Sequence, residues 1–93
     1  MNEEIRVHII IHGRVQGVGY RSFIYRQAKR LQLAGFVRNM PNGTVECIVE
    51  GLSDQIERLI ENMRKGPRYS NVSQIEVSEK PAGSGLAHFE IIF

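Results

Sequence analysis

Gly13-Arg14-Val15-Gln16-Gly17-Val18-Gly19-Tyr20-Arg21 is a glycine-rich stretch that separates a run of β-branched residues from a helical pattern. Glycines let successive backbone N–H groups converge without Cβ clashes, and a helix start adds unpaired N–H groups with a partial positive charge. The arginine at the end of the stretch adds a planar set of donors that matches phosphate oxygens. The stretch therefore predicts a strand, an anion-binding loop and a helix, in that order.

Two common phosphate motifs do not match this stretch. A Walker P-loop needs Gly-Lys followed by Ser or Thr after its glycines, and these residues are missing here. The dinucleotide-binding fingerprint needs a third glycine at the position of Ser22. A tight turn that uses glycine for positive φ, with Arg14 and Arg21 solvated, is the alternative interpretation. The local pattern alone leaves both interpretations open.

Length and composition predict one small domain over residues 1–93. The chain is 42% hydrophobic and 24% charged, which is usual for a globular protein. No apolar run approaches the roughly 18 residues of a membrane span, and the Met-Asn-Glu-Glu start lacks the regions of a secretory signal. The lone Cys47 excludes an internal disulfide and a cysteine-rich metal site. These features favour a cytoplasmic protein with no membrane partner.

Positive charge is concentrated in the first half of the chain. The span from Ile5 to Val45 has no Asp or Glu and a charge of +7, and the remaining ten acids and five bases balance to −5. The basic residues of the span are Arg6, Arg14, Arg21, Arg26, Lys29, Arg30 and Arg38. Such a surface attracts anions, either a small phosphate compound or a nucleic acid. It also offers no carboxylate as nucleophile, general base or Mg²⁺ ligand.

Hydrophobic periodicity predicts the order β-α-β-β-α-β followed by a short final strand. The predicted elements are a strand at 5–12, a helix from Tyr20 to about Leu33, a hairpin at 36–50, a helix capped by Ser53 or Asp54 and ended by Gly66-Pro67, and strands at about 72–77 and 88–93. This order is that of an α+β, ferredoxin-like split β-α-β sandwich, with two helices on one face of an antiparallel sheet. Val72 is out of phase with Ile75 and Val77, which indicates a bulge or a late strand start.

The predicted fold brings two motifs to one end of the sheet. The first loop and the turn of the hairpin come close there, which would place Arg21 near Asn39. The amide side chain of Asn39 can hold a water through one donor and one acceptor. Tyr20 and Cys47 are expected to pack in the core. His8 and His12 lie roughly 13 Å apart along a strand, too far to chelate one metal.

At these motifs the sequence resembles the acylphosphatase family. The signatures are 13–21 and Gly35-Phe36-Val37-Arg38-Asn39-Met40-Pro41-Asn42-Gly43-Thr44-Val45. Lys65-Gly66-Pro67 and Phe89-Glu90-Ile91 are also similar to the family, so the resemblance covers nearly the whole chain. Asn42 is a departure, because the family often has Asp in this turn.

The resemblance implies an enzyme that hydrolyses acyl phosphates, the mixed anhydrides of a carboxylic and phosphoric acid. It implies that Arg21 binds the phosphate and that Asn39, the second catalytic residue, orients the attacking water. The implied phosphate cradle consists of the backbone amides of Val15, Gln16, Gly17, Val18, Gly19 and Tyr20. It implies no metal and no organic cofactor, and the expected partner of the monomer is a small anionic substrate.

The chemistry of the residues agrees with this expectation. A leaving carboxylate is a stable anion with a pKa of about 4, so it departs without a general acid. Converging amides and a guanidinium stabilise charge on the equatorial oxygens of the transferring phosphoryl group. A site without acids is therefore sufficient for an acyl phosphate and poor for a phosphomonoester, whose alkoxide leaving group needs a proton.

Two rival functions stay open for the same fold. A nucleic-acid module shares the fold and the basic first half, but the exposed stacking aromatics of RNA-recognition strands are not evident in strands 1 and 3. The other rival is a domain that recognises phosphate or carbamoyl phosphate on behalf of a larger protein.

Overall fold

The computed structural model describes residues 2–83 and 85–93. Its elements are β1 (Glu4–Arg14), α1 (Tyr20–Arg30), β2 (Ala34–Asn39), β3 (Val45–Leu52), α2 (Ser53–Lys65), β4 (Asn71–Lys80) and β5 (Phe89–Ile92). This order confirms the β-α-β-β-α-β prediction with its added strand. Among the described residues, no helix is long and apolar enough to cross a membrane. Met1, part of the signal-peptide argument, lies outside the described residues.

The five strands form one sheet in the order β4-β1-β3-β2-β5. The pairs β1–β4, β1–β3 and β2–β3 are antiparallel, whereas β5 lies parallel to β2, so the sheet is mixed rather than antiparallel throughout. The reason is topological. β4 ends at the end of the sheet where β2 begins, and a strand that is entered from that end runs in the same direction as β2.

Alternation along the strands places one face of the sheet against the two helices. Val7, Ile9 and Ile11 of β1 are buried, and the residues between them are only partly so. Val45, Cys47 and Val49 of β3 are fully buried on the same face, as their spacing predicts. The apolar sides of the helices complete the core with Tyr20, Ile24, Ala28, Ile56, Leu59 and Met63.

A β-bulge lies where β1 leaves the sheet. The pairing shifts between His12, which faces Gln74, and Gly13, which faces Val72, so Ser73 is the extra residue. The out-of-phase position of Val72 therefore marks a bulge. Gly13 has φ +125°, and a Cβ built there would lie 2.0 Å from the carbonyl oxygen of Asn71. Only glycine fits this close approach of two backbones.

The first helix ends earlier than its periodicity predicts, at Arg30 instead of about Leu33. Gln32 has φ 57°, the Leu33 N–H donates to the Ala28 carbonyl at 3.0 Å, and the Gln32 N–H donates to the Lys29 carbonyl at 3.1 Å. These bonds are those of a Schellman motif, in which a left-handed residue closes the helix. Periodicity predicted a longer helix because Leu33 still packs in the core after the helix has ended.

The start of α2 also differs from the prediction. Leu52 occupies the N-cap position, where Ser53 or Asp54 was expected. The Asp54 N–H donates to Asn2 Oδ1 at 3.2 Å, and the Ser53 N–H donates to the Glu3 carbonyl at 2.9 Å. The cap is therefore supplied from the beginning of the chain, a contact that no local pattern reveals.

Candidate active site

The N-terminus of α1 is exposed at the glycine-rich loop that joins β1 to α1. Gly17 and Gly19 have φ 74° and 77°, and nothing lies within 4 Å of a Cβ built on either residue. Gly19 is the N-cap of α1, whose first turn contains no acidic residue. The unpaired N–H groups of the first turn and the helix dipole favour an anion at this position.

The side chain of Gln16 joins this loop to the hairpin turn. Its Nε2 donates to the carbonyl oxygens of Met40 and Thr44, each at 2.8 Å. The turn is also fixed internally, because Asn42 Oδ1 accepts from the Thr44 N–H at 3.1 Å and from its hydroxyl at 2.7 Å. Asn39, the last residue of β2, lies directly before this turn.

The glycine loop, the start of α1, the end of β2 and the C-terminal residues together line a cavity of about 100 Å³. Its lining residues are Val15, Gly17, Gly19, Tyr20, Arg21, Ser22, Asn39, Ile91 and Phe93, and none of these described residues is acidic. This volume is well below that of pockets that enclose whole small molecules. It suits one small anion rather than an extended ligand.

The guanidinium of Arg21 is held by the last strand. Nη1 donates to the Ile92 carbonyl at 3.1 Å, and Cζ lies 4.9 Å from the centre of the Phe93 ring. A guanidinium has five N–H donors, so one bond to a carbonyl leaves others for a ligand in the cavity. The arginine is thus oriented by β5 before any anion is bound.

Asn39 lines the same cavity and carries an acceptor without a partner. Its Oδ1 is buried and has no hydrogen-bond partner among the described residues. Buried polar atoms are nearly always paired, because an unsatisfied acceptor costs free energy. Because Asn39 also lines the cavity, rotation of its amide would bring this unpaired acceptor within reach of a water there.

The side chain of Tyr20 packs in the hydrophobic core. It is 1% exposed, and its hydroxyl donates to the Met63 carbonyl of α2 at 2.8 Å. Burial raises the pKa of this hydroxyl above its ordinary value, which keeps it protonated. The expected packing role of Tyr20 is confirmed.

The positive span is partly neutralised in the folded protein. On the sheet face away from the helices, Arg6 pairs with Glu50 at 2.9 Å, and Arg38 and His8 pair with Glu46 at 2.6 and 2.7 Å. The hydrogen bond from His8, and then that from Arg38, holds the pKa of Glu46 below its usual range. Arg38 is thus an ion-pair residue, and the positive charge in the cavity wall is that of Arg21.

A larger hollow of about 510 Å³ lies elsewhere, on the surface of α2. Its lining includes Asp54, Glu57 and Glu61 beside a single arginine, Arg58. Carboxylates repel an anion, so this hollow is a poor candidate for a phosphate site.

The cavity gathers most, but not all, of the residues that the sequence singled out. Gln16 and Val18 do not belong to the described lining: Gln16 clamps the turn, and Val18 packs against the core. Sequence reasoning missed Ser22, Ile91 and Phe93. The alternation of the final strand placed Ile91 and Phe93 on one face, but nothing local linked that face to the glycine loop. Fold and cavity define a small α+β protein with an anion-sized cavity at one end of its sheet.

Comparison with known proteins identifies the family. The acylphosphatase family model matches residues 7–91. An acylphosphatase from Chlorobaculum tepidum is 44% identical over 89 residues, which cover 96% of this chain and 97% of the relative. The crystal structure of acylphosphatase from Bacillus subtilis has a TM-score of 0.93 at 36% identity and covers 96% of this chain and 99% of that one.

A second kind of solved structure contains the same fold as a small part. Full-length HypF in its phosphate- and nucleotide-bound form matches with a TM-score of 0.86 at 28% identity. The match covers 100% of this chain and only 12% of the HypF chain.

The chain belongs to the acylphosphatase family. The resemblance seen in the two signatures is thereby confirmed. The chain is an enzyme of this family, and the reaction of the family is the hydrolysis of acyl phosphates.

Proposed function

We propose that the cavity lined by the glycine loop, Asn39 and the C-terminal residues is the active site. Arg21 and the backbone amides of residues 15–20 hold the phosphoryl group, and Asn39 positions the attacking water. The observation that supports this most directly is that Arg21 and Asn39, from separate motifs, line one cavity of about 100 Å³. The cavity is large enough for a phosphoryl group and a water but not for a large ligand.

The reaction follows from these positions. The oxygen of the water forms a bond to phosphorus, the bond between phosphorus and the acyl oxygen breaks, and its electron pair leaves with the carboxylate. The proton of the water passes to the phosphate or to solvent. Charge on the equatorial oxygens is stabilised by Arg21 and by the N-terminus of α1, which need no reorganisation during the reaction.

Asn39 contributes position rather than proton transfer. With its amide turned towards the cavity, the unpaired Oδ1 accepts a hydrogen bond from the water and thereby orients a lone pair towards phosphorus. A water that is already held in the attacking position loses less entropy on reaching the transition state, which lowers the barrier. No base of high pKa is needed, because the carboxylate is a good leaving group.

The proposed reaction is independent of metal ions. The described lining residues include no carboxylate that would hold Mg²⁺, and the positive charge in the wall comes from Arg21 and the helix N-terminus. The proposed substrate is therefore the free acyl phosphate.

A substrate panel tests this function. Acetyl phosphate, p-nitrophenyl phosphate and a single-stranded RNA are each offered to the purified protein with EDTA present throughout. We expect release of phosphate from acetyl phosphate, little from the monoester and no tight RNA binding. RNA binding without hydrolysis of acetyl phosphate, or hydrolysis that stops in EDTA, would contradict the proposal.

Phosphate recognition on behalf of a larger protein is the second candidate. The likeness to a 12% portion of HypF, solved in a phosphate-bound form, favours it. Binding of inorganic phosphate without turnover of acetyl phosphate would identify this function in the same panel.

We also propose that the protein acts as a monomer in the cytoplasm, without a nucleic-acid or membrane partner. Its one cysteine, Cys47, is buried and unpaired, so the fold needs no oxidising compartment. Light scattering during size-exclusion chromatography measures the mass in solution, and cell fractionation measures the location.

A further inference from the structure

The proposed active site leaves the acyl group of the substrate without an assigned position. A cavity of about 100 Å³ is well below the roughly 300 Å³ at which pockets begin to enclose whole small molecules. If the phosphoryl group occupies the cavity, the acyl group must lie at its mouth. Whatever side chain lies there is in contact with the part of the substrate that differs from one acyl phosphate to another.

Phe93 is at this mouth. It belongs to the lining of the cavity, yet the residue is 97% exposed. The Cζ atom of Arg21 lies 4.9 Å from the centre of the Phe93 ring, so the ring lies beside the residue that is proposed to hold the phosphate. The face of the ring away from Arg21 remains free for a ligand.

The position of the ring is set by the sheet. Ile92 pairs with Arg38 of β2, and its carbonyl accepts the hydrogen bond from Arg21 Nη1 at 3.1 Å. Phe93 is the next residue, so its backbone enters the site from a paired strand. Ile91, also in the lining and partly buried, adds a second apolar side chain to this wall.

We propose that Phe93 is a specificity residue, which packs against the acyl group and makes the enzyme prefer apolar acyl phosphates, above all aromatic ones. The inference depends on the proposed function of the cavity. An aromatic ring gains from contact with another ring through buried area and through edge or offset-stacked geometry. A small acyl group such as acetyl reaches too little of the ring to gain as much.

The ratio of kcat/KM for benzoyl phosphate to kcat/KM for acetyl phosphate tests the inference. In Phe93→Ala we expect this ratio to fall roughly threefold to tenfold, which corresponds to the loss of one aromatic pair. Phe93→Tyr keeps the ring and is expected to keep the ratio. Tyr69→Ala is the matched control, because Tyr69 is 74% exposed and lies 5.5 Å from the Arg68 guanidinium but is outside the cavity lining.

Three results would overturn the inference. An unchanged ratio in Phe93→Ala means that the ring does not read the acyl group. An equal fall for both substrates, accompanied by weaker inhibition by inorganic phosphate, means that the ring only orients Arg21. If the unaltered protein hydrolyses neither substrate, the proposed function is overturned as well. If it hydrolyses both and the kcat/KM ratio is the same in Phe93→Ala, only this inference is overturned.

Discussion

Gln16 Nε2 donates a 2.8 Å hydrogen bond to the carbonyl oxygen of Thr44, across the gap between the glycine loop and the hairpin turn. The same nitrogen donates to the Met40 carbonyl at 2.8 Å, so both hydrogens of the amide are used. This side chain connects the segment that carries Arg21 with the segment that carries Asn39. Gln16 therefore links the two segments of the proposed site, and we expect it to position them, in addition to the backbone role that the resemblance implied.

Gln16→Ala should loosen the link between the glycine loop and the hairpin turn, and so between the segments that carry Arg21 and Asn39. Loss of two hydrogen bonds lowers the free energy of unfolding by about 1–3 kcal/mol, and a misplaced water or phosphoryl group lowers kcat/KM by about 10- to 100-fold. Acetyl phosphate kinetics at a temperature where circular dichroism shows a folded variant measures the effect. Gln74→Ala, at an exposed position of β4, is the control. Unaltered kinetics in a folded Gln16→Ala protein would contradict the clamp.

Substitution of Arg21 should weaken phosphate binding, whereas substitution of Asn39 should slow turnover. Arg21→Ala removes charge-assisted hydrogen bonds, so the inhibition constant of inorganic phosphate should rise by about tenfold or more. Asn39→Ala should keep that constant and lower kcat by about 100-fold, because only the water loses its place. Arg14→Ala, an exposed arginine at the end of β1, is the matched control. Normal turnover in purified Asn39→Ala protein would exclude the proposed role.

Alanine substitutions at Gly13 and Gly43 compare two reasons for which glycine is needed: the close approach of two backbones and a positive φ. A Cβ at Gly13 meets the Asn71 carbonyl oxygen at 2.0 Å, whereas one at Gly43, with φ +93°, meets nothing within 4 Å. We expect Gly13→Ala to lower the free energy of unfolding by about 2–4 kcal/mol and Gly43→Ala by about 1 kcal/mol. Urea denaturation measures both values, and an equal loss at the two positions would refute the steric argument.

Glu46 should make stability depend on acid pH. Its folded-state pKa is lowered, first by the His8 hydrogen bond and then by Arg38, so its contribution is complete above the ordinary carboxylate pKa of 4.5. It is lost as the pH falls from there through the folded pKa. The pair with Arg38 is partly exposed to solvent, so the contribution is at most about 1 kcal/mol.

Urea denaturation of Glu46→Gln at pH 6 and pH 3 measures this dependence. The difference in free energy of unfolding from the original protein should shrink at the lower pH. Glu57→Gln, at an exposed position of α2, controls for the loss of one negative charge. A difference that stays constant between the two pH values would show that Glu46 is not the responsible group.

Local periodicity was sufficient for most of the fold. Cys47 was expected in the core and is fully buried there, because side chains of a strand alternate between its faces. The end of α1 was misplaced, since the left-handed Gln32 closes the helix while Leu33 keeps the apolar pattern going. The cap of α2 was misplaced because Asn2 supplies it from the far end of the chain.

The amino-acid sequence by itself determined the order of elements, the family, and Arg21 and Asn39 as candidates for the site. These follow from local patterns and from motifs that are contiguous in the chain. Only the tertiary structure decided that β5 runs parallel to β2, that Gln16 joins loop to turn, and that Phe93 lies at the mouth of the cavity. Each is a contact between segments far apart in sequence, and such contacts depend on the strand order of the sheet, which no local period encodes.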